Sequence, residues 1–117
     1  MFTRIVEGIS NWLIWKNLDD CRPWEWFCDQ RITSSHFQVG TVLVASDALH
    51  RLYPRDIMES LNRHAVADWG TVTARTVARN DRAMDREGQV ISRHRGRQGI
   101  WFLIVTDPRR KATLVLL

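Results

Sequence analysis

Cysteine is scarce in this 117-residue chain: Cys21 and Cys28 are the only two. Their six-residue gap matches no standard zinc-ligand spacing, and no histidine pair stands nearby to complete a metal set. Reduced structural thiols are the expectation, with a disulfide as the alternative for an exported chain. Long hydrophobic runs are also missing. No apolar stretch approaches the ~18 residues that span a bilayer. The opening Met1-Phe2-Thr3-Arg4 lacks a signal-peptide pattern, and Glu7, Asn11 and Lys16 break up the apolar residues after it. A cytoplasmic protein without membrane association is therefore expected. The sequence shows no phosphate loop, nucleophile elbow, helix-turn-helix signature, internal repeat or low-complexity segment. No metal or cofactor is expected.

What is present is apolar residues at 44% and charged residues at 26%, a balance suited to one small folded domain over 1–117. Six tryptophans are many for this length, and 15 of the 17 basic side chains are arginine. Charge is unevenly placed. Residues 1–85 sum to −1, whereas residues 86–117 carry seven basic and two acidic side chains and sum to +5. Such asymmetry suits a polyanionic partner, and arginine suits bidentate contacts to phosphate or carboxylate. A coding bias toward arginine explains the same count without function.

The pattern predicts an α+β fold, with N-terminal and central helices packed on a small antiparallel sheet ending in a three-stranded meander. Residues 3–18 have helical periodicity, and the breaker-rich stretch 19–35 holds Trp24, Trp26 and Phe27. This tryptophan-rich segment, 1–35, precedes an α+β core, 36–117. The aromatics of the segment form either a core plug or a contact patch. A strand is predicted over 39–44. Next comes a short helix over 48–53, capped by Ser46-Asp47, then a helix over 55–66 with Pro54 in its first turn. The latter shows Ile57, Met58, Leu61 and Ala65 on one face, with Gly70 as its C-cap. A third helix, 73–87, carries Val77, Ala78, Asp81, Met84 and Asp85 and stops at Gly88. The remaining strands span 90–94, 100–106 and 112–117. The middle one is apolar on both faces and so belongs at the centre.

Two residue sets could carry function. His64 and Asp68 are four apart, which would let the carboxylate orient the imidazole on a continuing helix. With Arg63, Ser92 and Arg110 they would make a metal-independent phosphodiesterase site, His64 acting as base. The alternative is a structural clasp at a helix end. On either reading Trp69 is expected in the core against the central strand near Trp101, and Asp68 is expected to accept hydrogen bonds from backbone or a neighbouring basic group. The second set is the alternating Arg93, Arg95 and Arg97, with Arg109, Arg110 and Lys111 in the next turn. The five arginines, together with Trp24 and Trp26, are the candidate binding residues. Successive turns of a meander lie at opposite ends, so the two basic groups need not merge.

From about Gly40 onward the chain resembles a family of small phage- and plasmid-borne proteins whose members often carry restriction–modification labels. The resemblance rests on Arg63-His64 with Asp68-Trp69-Gly70; Asn80, Asp81 and Ala83; Gly88 leading to Ile91-Ser92; Ile100-Trp101; and Thr106 through Arg110 to Ala112-Thr113. The family usually has glycine where Ala67 stands, an aromatic at His94, and an acidic–arginine pair at Arg109-Arg110. The resemblance implies an accessory protein of a mobile element in the cytoplasm of a host cell. The expected function is non-enzymatic binding to a host protein or ribonucleoprotein complex, for example counter-defence of the anti-CRISPR kind. A toxin-like nuclease and a nucleic-acid-binding accessory protein are the alternatives.

Overall fold

The structure, a computed structural model, describes residues 21–23, 35–86 and 88–117. The predicted helix over 3–18, and Trp24, Trp26, Phe27 and Cys28, lie outside the described residues. The elements are β1 (Cys21–Pro23), β2 (Thr41–Ala45), α1 (Ser46–Arg51), α2 (Pro54–Ala65), α3 (Ala74–Met84), β3 (Val90–Arg95), β4 (Trp101–Thr106) and β5 (Ala112–Leu116). The fold is α+β. Four strands, with the three-residue β1 added at one edge, form a sheet of order β1-β2-β5-β4-β3.

The C-terminal meander is as expected, with β3–β4 and β4–β5 antiparallel. Strand β2 instead joins β5 in parallel, so the sheet is mixed rather than wholly antiparallel. The reason is the connection: three helices lead from the end of β2 to the far side of the sheet, and a crossover of that length permits parallel pairing. It leaves β5 central, with all five residues buried. Strand β1 pairs antiparallel with β2 inside the breaker-rich stretch. Pro23 is tolerated there because β1 is an edge strand. Gly40 enters β2 at φ +66, and a Cβ on it would lie 2.3 Å from the Lys111 carbonyl carbon. That close approach lets Thr41 N donate to Lys111 O at 3.0 Å.

The helix boundaries depart from expectation at their ends. Ser46 and Asp47 are the first residues of α1, and Ala45 precedes them without a side-chain cap; the Asp47 carboxylate accepts from Ala48 N instead. Helix α2 has Pro54 at its start and buries Ile57, Met58, Leu61, His64 and Ala65. Its C-terminus is closed by Ala67 at φ +65, not by Gly70. Ala67 N donates to His64 O and Asp68 N to Arg63 O, the paired bonds of a Schellman closure. Helix α3 is capped by Thr73, ends at Met84, and buries Asn80 and Ala83, while Val77 is exposed. No described helix is long and apolar enough to cross a membrane.

Gly70 serves a different role. It sits at φ +67 in a short parallel bridge to Arg93, flanked by Arg93 N donating to Trp69 O and Thr71 N donating to Arg93 O. A Cβ there would meet Arg93 O at 2.2 Å. Two residues earlier along β3, the Asn80 side chain pairs with both backbone groups of Ile91, at 2.7 and 3.0 Å. A side-chain amide and a passing segment thus cover the outer edge of β3, where bare backbone would invite another strand.

Trp69 is 4% exposed, as expected. It packs with Phe37, Ala83 and Val90, and its Nε1 donates to Asp81 at 3.2 Å. It does not approach Trp101. Val90 and Arg95 are five apart on β3 and so point to opposite faces, and Trp101 stands opposite Arg95. Replacing Trp69 by alanine should cost about 3–5 kcal/mol in urea denaturation, the usual range for a buried tryptophan. Ala67→Gly should act the other way and stabilise the fold by up to about 1 kcal/mol. It relieves a left-handed alanine, and the glycine's greater unfolded-state entropy offsets part of the gain.

Candidate functional site

Helix α2 projects His64 into the sheet face that carries Ser92 and His94 of β3 and Thr106 of β4. His64 is fully buried, and both ring nitrogens are bonded: Nδ1 to Ser92 Oγ at 2.6 Å and Nε2 to Thr106 Oγ1 at 2.8 Å. The chain of bonds extends at both ends. Thr106 Oγ1 lies 2.7 Å from Thr113 Oγ1, which donates to Val39 O at 2.7 Å. On the other side His94 Nε2 lies 2.9 Å from Ser92 Oγ.

One fact orients every proton in this row. The Val39 carbonyl can only accept, so Thr113 donates to it and must accept from Thr106. Thr106 must then accept from His64 Nε2–H. With Nε2 protonated, a neutral His64 accepts at Nδ1 from Ser92, and Ser92 accepts from His94 Nε2–H. Burial favours the neutral form of both imidazoles, and in that form the last acceptor, His94 Nδ1, is buried without a partner. Asp107 Oδ2 is the other such atom among the described residues. Burial pushes His64 down to about 3, reinforced by the repulsion that a proton on His94 would add and by the charge of Arg110. Burial also pushes His94 down to about 4, with Arg63 adding to the effect and Asp68 opposing it.

The nuclease constellation is only partly assembled. His64 and Ser92 meet, but Asp68 does not orient the imidazole. The helix ends at Ala65, and Asp68 turns outward to bind Arg63 in a two-pronged pair at 2.8 and 3.2 Å. It also accepts from Gly70 N, and these bonds hold its carboxyl below the usual range. The hydrogen bonds expected of Asp68 are thus present, from both backbone and base. Arg110, expected on phosphate, lies instead against Phe37 and donates to the carbonyls of Ala83, Gly88 and Asp107. It closes the carbonyl end of α3, as arginines do at helix C-termini. Ser92 and His64 have no solvent-exposed surface, so neither meets a phosphate in this structure.

The second set is open to solvent. On β3, Arg93 and Arg95 point away from His94 and share a face with Trp101, which pairs with Arg95 across the strands. The Arg93 guanidinium carbon lies 4.1 Å from the indole centroid and that of Arg95 5.5 Å. Trp101 remains 38% exposed. Among the described residues neither arginine has a carboxylate partner. Arg97 differs: it grips Asp56 through Nε, Nη2 and its backbone N, and stacks on Tyr53 at 4.7 Å. Arg109 is exposed in the β4–β5 turn. That turn and the β3–β4 turn lie at opposite ends of the six-residue β4, ~17 Å apart at ~3.3 Å per residue, so the two basic groups do not merge. Trp24 and Trp26 lie outside the described residues.

The residues that sequence reasoning missed are Thr106, Thr113 and His94, which complete the buried row, and Tyr53, which stacks on Arg97. A threonine at equivalent register on neighbouring strands was the available signal, but it needs the pairing of Thr106 with Thr113 to be seen. No protein-family model, curated protein or solved structure matches the chain.

The neutral histidines set the acid response. An unfolded histidine takes up its proton near pH 6.5. The folded pair holds off until about 4 and 3. Below pH 6.5 the unfolded state binds more protons, so stability falls as pH drops. Between pH 5.5 and 4.5 the slope of unfolding free energy should approach two protons, roughly 2.7 kcal/mol per pH unit. Urea titrations across that window measure it, and a flat profile contradicts a neutral, bonded pair.

Proposed function

We propose that this chain is a non-enzymatic binding protein whose working surface is the Arg93–Arg95–Trp101 face of the β3–β4 hairpin. The observation that carries this reading is that two arginines stack on a half-exposed tryptophan and have no carboxylate partner among the described residues. Exposed tryptophan and arginine are the side chains that anchor interfaces. The stacking arrests the guanidinium planes in advance of binding, so less side-chain freedom remains to be lost. The enclosure of His64 and Ser92 within the core supports binding over catalysis. The resemblance to proteins of mobile elements favours a partner in a host cell, a protein or ribonucleoprotein complex that handles nucleic acid. A counter-defence inhibitor, such as an anti-CRISPR protein, is the concrete form this reading takes.

The test is a pull-down from host lysate with the tagged wild-type chain and with Arg93→Glu/Arg95→Glu. A stable partner should be retained by the wild type and lost by the variant, while thermal melting stays within a few degrees. Retention of no partner, or equal retention by both, contradicts the proposal. So does metal-independent cleavage of RNA or DNA that His64→Ala abolishes, which would establish the nuclease reading instead.

A further inference from the structure

We propose that the hairpin face recognises single-stranded nucleic acid, with bases stacking on the Trp101–Arg93 pair and phosphates held by Arg95 and Arg93. This deepens the assignment of that face as the working surface and rests on it. Three observations point to a strand rather than to any polyanion. First, the cations are interleaved with π-faces. Arg93 and Arg95 flank Trp101, and Arg97 lies over Tyr53, itself 45% exposed. Aromatic rings and guanidinium planes both stack unpaired bases, and arginine donors take the intervening phosphates.

Second, the turn that ends the hairpin is grooved. A shallow depression of about 320 Å³ runs from Tyr53 to Gln98 and Ile100. Another, of about 410 Å³, is floored by the turn from Arg95 to Gly99. They share Gln98, and Arg95 and Arg97 border the second. Gly99, at φ +83, lets the Arg95 guanidinium lie over the turn, 3.2 Å from where a Cβ would stand.

Third, Arg93 and Arg95 carry their charge without a carboxylate partner among the described residues. Around Tyr53, Arg97 pairs with Asp56 at 2.8 Å with the Glu59 carboxylate also near it, and Arg51 adds an exposed cation. A duplex offers phosphates but keeps its base faces stacked inside. An acidic protein segment would satisfy the guanidiniums yet leave the indole and phenol without a stacking partner. A single strand satisfies both.

Fluorescence anisotropy tests this with the full chain and labelled single-stranded DNA and RNA of about 15 nucleotides, the upper range of one small domain's footprint. The same DNA as a duplex, and heparin, serve as comparisons. Single strands should bind more tightly than the duplex. Arg93→Glu/Arg95→Glu should weaken them at least tenfold and reduce the slope of log K against log salt by about 1.4, two phosphate contacts at ~0.7 each on single strands. Trp101→Ala should weaken single strands on the order of tenfold while leaving heparin binding unchanged. Should the double glutamate variant unfold, Arg93→Gln/Arg95→Gln keeps the aliphatic stems over the indole and serves in its place. Equal affinity for duplex and single strand, or insensitivity to Trp101→Ala, overturns stacking recognition. So does an absence of oligonucleotide binding at low salt. If oligonucleotides fail but a lysate partner is still captured through Arg93 and Arg95, the broader binding role stands and only this inference falls.

Discussion

The row of hydrogen bonds from the Val39 carbonyl to His94 constrains the rest of the molecule. A buried imidazole survives only if it is neutral and its polar atoms find partners, since an orphaned buried group costs about 1–3 kcal/mol. His64 meets this demand by lying between Ser92 of β3 and Thr106 of β4. Those bonds fix the rotation of α2 on the sheet. They also bind α2 to two strands, while Thr113 carries the row into β5 and on to the segment before β2. Every element that adjoins the row is set by donors and acceptors of fixed direction, which apolar packing alone cannot specify.

A second consequence concerns the edge of the sheet. With α2 anchored, the chain leaving it turns at Ala67 and passes along β3, where Trp69 and Thr71 bond to Arg93. Asn80 reaches Ile91 from α3, and Arg110 binds the end of α3 to the β4–β5 turn. Backbone at the edge of β3 is thereby occupied at Ile91 and Arg93. What β3 presents to solvent is its side chains, and these are the arginines around Trp101. The same clasp that suppresses strand-to-strand association positions the cationic face.

Much of the fold is legible in the sequence because it depends on local periodicity. The apolar run Ile100–Val105 between two turns marks a central-type strand, and Pro54 with its helical stripe marks α2 almost to the residue. The failures share a cause. Glycine's tolerance of positive φ points to Gly70 as the helix cap, yet Ala67 fills that position, and glycine is needed three residues later where β3 passes within contact distance. His64 and Asp68 have a helical spacing, but the helix stops between them, and Arg63 captures the carboxylate. Arg110 reads as a surface charge until its carbonyl partners, 22 and 27 residues away in sequence, come into place.

The sequence by itself determined the α+β class, the antiparallel meander, the core stripe of α2 and the concentration of positive charge after residue 85. These depend on residue type and short-range spacing, which survive without knowledge of the fold. The tertiary structure alone decided the parallel pairing of β2 with β5, the neutral state of His64 and His94, and the division of the arginines. Arg110 turns inward to carbonyls, Arg97 is held by Asp56, and Arg93 and Arg95 stack outward on Trp101. A guanidinium carries the same charge in all four places. Whether it becomes a brace or a contact surface depends on which partners the sheet brings within hydrogen-bond distance.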